Sequence, residues 1–266
     1  MQTQNLSAHI LISWEYIHAK PLLDSYLLYR VDASGTNTLL YKGPLAYFED
    51  TDVEWQSTYS YYVTGMINNT ESPRPELSAL PEVIRRLYVG SNSEYTKITD
   101  ALNVLNDGDV IYVLSGIYIE NIDFLGKNIE LICADQSGSC EIQGDGSGSV
   151  VTFSGEVDTM AVLDGFKIKG NNSGQNGGAI NIYSNSAPII KNCTFEDNSS
   201  TGNGGAIYID SKSDPIIRNC AFVENSSSGE GGAIYCNKDS APQIENCTFT
   251  ENESDGDGGA IFIYRS

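Results

Sequence analysis

From residue 177 onward, short apolar stretches separated by glycine, serine and asparagine recur at a constant step of 27 residues. Gly-Gly-Ala-Ile begins at Gly177, Gly204, Gly231 and Gly258, and Phe-x-x-Asn begins at Phe195, Phe222 and Phe249. A fixed period of this length marks a solenoid, in which each unit stacks on the next and buries a face that it cannot bury alone. Function must therefore be sought on the outside of the stack.

Each repeat contains three apolar stretches, which predict three short strands. In one repeat they are Ile207–Ile209, 215–218 and 220–222. Alternation along a strand points Ile207, Ile209 and Phe222 inward, and equivalent residues of successive coils would lie about 4.8 Å apart. The pattern predicts stacked rows of isoleucine, phenylalanine and cysteine in the core. The last two rows are Phe195, Phe222 and Phe249, and Cys193, Cys220 and Cys247.

Asn192, Asn219 and Asn246 fall between the second and third predicted strands, at a sharp corner. Asparagine tolerates left-handed backbone, and its amide can hydrogen-bond to the amide of the next coil. We therefore expect a structural asparagine ladder at this corner. Asn192 and Asn246 also begin Asn-x-Thr glycosylation sequons, but the ladder is the favoured interpretation.

Gly-Gly-Ala-Ile followed by Phe-x-x-Asn resembles the repeat pair of the polymorphic outer-membrane proteins and, more broadly, the pectin-lyase-like superfamily. The resemblance covers Gly177 to the C-terminus clearly and residues 87–170 more loosely. It implies a right-handed parallel β-helix with 27-residue coils. It implies no single activity, because that superfamily includes adhesins, lyases, hydrolases and epimerases.

Residues 1–80 follow a different pattern, in which short alternating strands are separated by polar turns. This pattern predicts an antiparallel β-sandwich. It resembles a fibronectin type III module, with Trp14 in the core and Tyr59 in the tyrosine-corner position. We expect a linker over residues 81–86 and the β-helix over residues 87–266.

The two ends of the predicted β-helix differ. Ile98, Ala101, Leu102 and Leu105 have the spacing of a short amphipathic helix. Because a first coil would otherwise expose its core and an open strand edge, we expect this helix to cap it. The sequence stops part-way through a coil at Ser266. We therefore expect an uncapped C-terminal end, a longer natural protein and end-to-end self-association of the isolated chain.

The 266 residues include 35 acidic and 15 basic side chains, which give a formal net charge of −20. This charge argues against nucleic acid and anionic membranes as partners, because both bind Lys/Arg clusters. No apolar run is long enough for a membrane helix, so we expect no membrane insertion within this chain. An extracellular or cell-surface location is expected, with any secretion signal outside this chain.

The six cysteines predict no zinc site, because there is no Cys-x-x-Cys and the two histidines lie far from every cysteine. The row cysteines are expected to be free, buried thiols. Cys133 and Cys140 flank a polar turn, and whether they form a disulfide is left open. No cofactor is predicted, although the acidic turns keep calcium as an alternative.

Between the inward isoleucines of the first strands, one outward position per coil is available for recognition. It holds Asn181, Tyr208, Tyr235 and Phe262. The three rings could stack on the apolar faces of sugars, or they could only shield one another and support the strands. No histidine lies within the predicted β-helix, and nothing selects Asp164 and Asp210 as a glycosidase pair over the other acids. We therefore assign no catalytic residue.

These observations favour a secreted or cell-surface protein of adhesion or binding, which recognises a polysaccharide or a surface protein along the solenoid without catalysis. One alternative is a polysaccharide lyase or glycoside hydrolase, with its site on the outer face of the first strands or beyond residue 266. Another is a structural filament or surface-layer subunit.

Overall fold

The computed structural model of the chain describes residues 8–13, 25–32, 34–44, 47–53, 60–72, 85–135, 139–170, 176–210 and 212–264. The chain forms two compact units, residues 1–86 and 87–266. Trp14, Tyr59 and most of the predicted linker lie outside the described residues.

The described residues of the first unit form two antiparallel sheets. Its strands are β1 (Ala8–Ser13), β2 (Ser25–Val31), β3 (Asn37–Gly43), β4 (Tyr47–Val53), β5 (Ser60–Ile67) and β6 (Thr70–Glu71). One sheet pairs β1 with β4, and the other has the order β3-β2-β5-β6. A buried contact involves three of these strands, since Asp50 accepts hydrogen bonds from Arg30 Nη1 at 3.0 Å and from Tyr61 at 3.1 Å. This unit is all-β, but its sheets do not establish a fibronectin type III sandwich.

The second unit is a right-handed β-solenoid of about 6 turns. The elements of its irregular first coils are β7 (Arg86–Val89), α1 (Ile98–Val104), β8 (Val110–Val113), β9 (Gly116–Ile119), β10 (Ile122–Asp123), β11 (Glu130–Cys133), β12 (Cys140–Gln143), β13 (Val151–Phe153), β14 (Val162–Asp164) and β15 (Lys167–Lys169). Those of the regular coils are β16 (Ile180–Ile182), β17 (Ile189–Lys191), β18 (Thr194–Glu196), β19 (Ser199–Ser200), β20 (Ile207–Ile209), β21 (Ile216–Arg218), β22 (Ala221–Val223), β23 (Ser226–Ser227), β24 (Ile234–Cys236), β25 (Gln243–Glu245), β26 (Thr248–Thr250), β27 (Glu253–Ser254) and β28 (Ile261–Ile263).

In the part of the solenoid that the structure describes, the strands form four parallel sheets. Sheet I has the order β10-β13-β16-β20-β24-β28, sheet II β25-β21-β17-β14-β11-β8-β7, sheet III β26-β22-β18-β15-β12-β9, and sheet IV β19-β23-β27. In the regular coils each residue pairs with the residue 27 positions later, as Phe195 does with Phe222. The predicted parallel β-helix is therefore confirmed. Sheet IV was not predicted, because its strands are short and mostly serine, which has no particular preference for strands.

The core contains stacked rows of identical side chains. Phe195 and Phe222 are fully buried, and their ring centroids lie 4.8 Å apart with an interplanar angle of 12°. Phe222 stacks equally closely on Phe249, which is half-buried in the last described coil. The thiols of Cys193, Cys220 and Cys247 are free, and each donates a hydrogen bond to the backbone carbonyl two residues earlier. Burial of these rings, at about 1.5–3 kcal/mol each, is a major source of stability.

The corner asparagines adopt the expected backbone, with φ of 55° at Asn192, 55° at Asn219 and 51° at Asn246. Their side chains, however, are weakly linked along the stack. Asn219 Nδ2 reaches Asn192 Oδ1 at only 3.5 Å in an exposed corner, and Asn192 Nδ2 donates instead to Asp164 at 2.7 Å. The corner therefore supplies left-handed turns rather than a buried hydrogen-bond ladder.

The buried asparagine ladder lies six residues further on, at the last position of Phe-x-x-Asn. Asn198 Nδ2 donates to Asn225 Oδ1 at 2.8 Å, and Asn225 Nδ2 donates to Asn252 Oδ1 at 2.8 Å. Asn198 and Asn225 are fully buried. This ladder satisfies polar groups where the chain enters sheet IV, which a buried backbone requires.

The predicted N-terminal helix is present as α1, with Ile98, Ala101 and Leu102 buried. The backbone N–H groups of Ile98 and Thr99 donate to the Glu120 carboxylate, each at 2.9 Å. Lys127 Nζ donates to the carbonyl of Leu102 at 2.7 Å. An anion at the start of the helix and a cation near its end complement the helix dipole. The first coils therefore supply the caps that the helix's own sequence lacks.

Candidate functional site

The outer face of sheet I brings the three predicted site residues together. The register places Tyr208 beside Tyr235 and Tyr235 beside Phe262, and we call these three residues the aromatic row. Their centroids lie 5.2 Å and 5.6 Å apart, with interplanar angles of 7° and 12°. Tyr235 is only 6% exposed, because its neighbours cover both faces of its ring. A sugar therefore cannot stack on the face of Tyr235, and the row presents mainly ring edges.

A second row runs beside the aromatic row, one residue beyond the end of each strand. This mixed row consists of Tyr183, Asp210, Asn237 and Tyr264. The Asp210 carboxylate accepts a hydrogen bond from the Tyr208 hydroxyl at 3.3 Å and one from Asn237 Nδ2 at 2.6 Å. Tyr264 is 45% exposed. The face thus combines apolar ring edges, an accessible phenol, a carboxylate and an amide.

Carboxylates give this face a negative potential. The pKa of Tyr208 is raised to about 12, first by burial and then by the nearby Asp210 carboxylate. The pKa of Tyr235 is also raised, by burial and then by the charges of Glu230 and Asp210. Glu230 precedes the strand of Tyr235, whereas Asp210 follows the neighbouring strand. The two carboxylates therefore approach the aromatic row from its two sides.

A cavity of about 470 Å³ lies beside the mixed row. It is lined by the turn at residues 238–242 and by Ile263 and Tyr264 at the end of β28. This volume lies within the range of small-molecule binding sites, and the lining combines a lysine, an aspartate and a serine with apolar groups. The cavity extends the candidate surface at the exposed ring of Tyr264.

The carboxylates considered for glycoside hydrolysis are not brought together. Asp164 ends β14 in sheet II, whereas Asp210 follows β20 in sheet I. Asp164 is nearly buried, with Lys191 Nζ at 3.3 Å and the Asn192 amide at 2.7 Å. It is therefore engaged in a structural contact, and no residue pair for this chemistry emerges from these two positions.

Calcium was considered for the acidic turns. In the described part of the chain, no group of three or more His, Cys, Asp or Glu residues could hold a metal ion. Asp197, Glu224 and Glu251 stand one above another, and the neighbouring Asp197 raises the pKa of Glu224 by hydrogen bonding and charge repulsion. These carboxylates repel one another along a column instead of converging on a point, as calcium ligands do.

Cys133 and Cys140, whose pairing the sequence left open, form a disulfide with Cα atoms 5.8 Å apart. It links the last residue of β11 to the first residue of β12. Burial raises the pKa of the free Cys236 thiol to about 11.

Among the described residues, no helix has the length and hydrophobicity of a membrane span.

Residues 101–266 match the family model described as the right handed beta helix region. The chain belongs to the right-handed β-helix family. The match accounts for the solenoid, but it identifies neither the polymorphic outer-membrane type of repeat nor a fibronectin type III module. No curated protein matches this chain.

A solved structure of the pectin methylesterase from Aspergillus niger, in a penultimately deglycosylated form, is similar to this β-helix protein. The similarity covers 68% of this chain and 88% of that chain, at 17% sequence identity and a TM-score of 0.21. A likeness at this TM-score carries no argument about function. The comparisons thus neither support non-catalytic adhesion nor favour an enzyme.

Sequence reasoning missed the mixed row and Glu230. A sequence signal for the mixed row was present. Asp210 and Asn237 stand 27 residues apart, and each lies two residues after Tyr208 or Tyr235, so that alternation places them on the same side of the chain. It was overlooked because the two residues differ in type, and a repeat is recognised most easily by identical residues.

Proposed function

We propose that this β-helix protein binds a polysaccharide along the outer face of sheet I. The observation that carries the proposal is the aromatic row beside the mixed row on one sheet face. Aromatic groups next to hydrogen-bonding groups suit sugars, which have apolar C–H faces and hydroxyl rims. Because the coils repeat, an extended polymer lying along the stack would meet related chemistry at each coil.

The rows would contribute in different ways. The aromatic row supplies a strip of ring edges, since the sides of its rings that face each other are covered by stacking. Tyr264, at 45% exposure, offers an accessible phenol side chain. The Asp210 carboxylate accepts hydrogen bonds from Tyr208 and Asn237, which hold it beside the aromatic row where a ligand hydroxyl would approach. Binding without catalysis is part of the proposal, since no catalytic group has been assigned.

We also propose an extracellular or cell-surface location. The Cys133–Cys140 disulfide supports it, because disulfides persist in oxidising compartments. The net charge of −20 suits a soluble protein and disfavours nucleic acid as a partner. A surface protein is the other class of partner that the same face could bind, through the same aromatic edges.

The test is binding of the full chain to a panel of immobilised neutral, amino-substituted and carboxylated polysaccharides. Tyr264→Ala should weaken binding about two- to tenfold, the worth of one aromatic contact. Tyr112→Ala is the matched control. It removes a half-buried tyrosine that stacks on Tyr88 at 5.4 Å in sheet II. Absence of binding to every polysaccharide, or equal losses in the two variants, would reject the proposal.

A further inference from the structure

We infer that the polysaccharide recognised by the outer face of sheet I carries free amino groups rather than carboxylates. This inference rests on the function proposed above and specifies its ligand class. It is based on the distribution of charged groups around the aromatic and mixed rows.

Two carboxylates stand on opposite sides of the aromatic row. Asp210 is held in place by Tyr208 at 3.3 Å and by Asn237 at 2.6 Å, so its position is fixed by neighbours in two coils. Glu230 lies on the other side, with its backbone N–H bonded to Asn203 Oδ1 at 2.8 Å. Glu230 forms no ion pair within the described part of the chain. Its side chain is partly exposed, so a ligand lying on this face can reach its charge.

The negative side of the face continues into the next coil. Asp257 stands one 27-residue step after Glu230 and is exposed. The lysines of these coils, Lys212 and Lys238, are exposed in the turns beyond the mixed row. Lys238 lines the cavity together with Asp239, so a carboxylate accompanies the cation there. The surface between the two sides is therefore bordered mainly by acids.

This arrangement discriminates between sugar substituents by charge. A uronate carboxylate placed on the rows would face Asp210 and Glu230, and like charges brought together at a contact are repulsive. A protonated amino group would instead donate charge-assisted hydrogen bonds to them. The net charge of −20 adds a long-range attraction for cationic polymers.

The experiment compares three oligosaccharides of equal length: a glucosamine oligomer, its N-acetylated form and a galacturonate oligomer. Calorimetric titrations of the full chain are made at about pH 5.5, where ordinary Asp and Glu side chains are ionised. We expect the glucosamine oligomer to bind about tenfold more tightly than the N-acetylated form at low ionic strength. The difference should shrink at about 0.15 M salt, where the screening length is about 8 Å.

Charge-neutralising variants locate the effect. Glu230→Gln should weaken binding of the glucosamine oligomer about two- to fivefold and leave binding of the N-acetylated form unchanged. Glu245→Gln removes the same charge from the outer face of sheet II and should retain wild-type affinity. Equal losses in the two variants would mean that only the overall charge attracts the ligand, which overturns the inference.

The outcomes also separate this inference from the proposed function. If the galacturonate or N-acetylated oligomer binds at least as tightly as the glucosamine oligomer, and Tyr264→Ala weakens that binding, the ligand class is wrong while the site stands. If no oligosaccharide binds, or if Tyr264→Ala has no effect on binding, the proposed site falls and the inference falls with it.

Discussion

Two asparagines of one coil, Asn219 and Asn225, should differ sharply in their contribution to stability. The Asn225 side chain is buried and makes four hydrogen bonds. Its Nδ2 donates to Asn252 Oδ1 at 2.8 Å and to the carbonyl of Phe195 at 3.0 Å. Its Oδ1 accepts from the backbone N–H of Asn198 at 3.1 Å and from Asn198 Nδ2 at 2.8 Å. Asn219 is exposed, and the hydrogen bond that its side-chain amide donates to Asn192 Oδ1 measures 3.5 Å.

The expected magnitudes follow from these contacts. Asn225→Ala removes these four hydrogen bonds, at about 1 kcal/mol each, so we expect a loss of about 4 kcal/mol in the free energy of unfolding. Asn225 does not have a positive φ, so alanine adds no backbone penalty there. Asn219→Ala should cost only about 1 kcal/mol, because alanine must adopt φ of 55°. Asn219→Gly should recover that loss, since glycine accepts this conformation freely.

The assay is urea unfolding followed by far-UV circular dichroism. Both tryptophans, Trp14 and Trp55, belong to the sequence of the first unit, so their fluorescence serves as an internal control for unfolding outside the solenoid. The solenoid transition should move to lower urea in Asn225→Ala, and the tryptophan transition should stay in place. Equal losses in Asn219→Ala and Asn225→Ala would refute the assignment of the buried ladder.

Three further predictions concern the core and the cysteines. Phe222→Ala, at a fully buried position, should lower the free energy of unfolding in urea by about 3–5 kcal/mol. Phe249→Ala, at a half-buried position, should lower it clearly less. The reverse order of the two losses would contradict the stacking. Reducing the Cys133–Cys140 disulfide should lower the solenoid's stability by about 2.5 kcal/mol, the chain-entropy value for a short loop, and an unchanged urea midpoint would count against it. The folded-state pKa of Cys236 is raised from an ordinary 9.0 to about 11, so folding favours the protonated thiol. The stability that this thiol contributes is therefore complete below about pH 9 and is lost as the pH rises to 11. Urea midpoints should fall over that window in the wild type, and a fall just as large in Cys236→Ala would exclude this thiol as a cause.

The architecture of the solenoid could be predicted from the sequence because its signal is identity at a fixed step. Gly204 and Gly231 have φ of 68° and 70°, and Phe195, Phe222 and Phe249 form one continuous stack. Repetition of this kind fixes the register directly. The same logic predicted which residues point outward between the isoleucines of sheet I.

The assignment of the asparagines shows where that logic ends. Asn219 and Asn225 recur with the same period, and both lie in turns rich in polar residues. Only three-dimensional geometry shows that Asn225 points into the core and can satisfy the carbonyl of Phe195, whereas Asn219 points outward. Periodicity identifies positions that matter, but it does not say whether a polar side chain is buried.

The irregular first coils were the least predictable part. The 27-residue motifs begin only at Gly177, so the positions of Cys133 and Cys140 could not be predicted from the period. The caps of α1 come from Glu120 and Lys127, which lie in the first coils and far from the helix in sequence. Contacts of this kind depend on tertiary structure, so the sequence of the helix alone does not predict them.

The ligand site is tested most directly by a crystal structure of the full chain in complex with a glucosamine oligomer. We expect sugars along the outer face of sheet I, in contact with Tyr264 and with an amino group within hydrogen-bond distance of Asp210 or Glu230. Sugars bound to another sheet of the solenoid, or to the first unit, would contradict it.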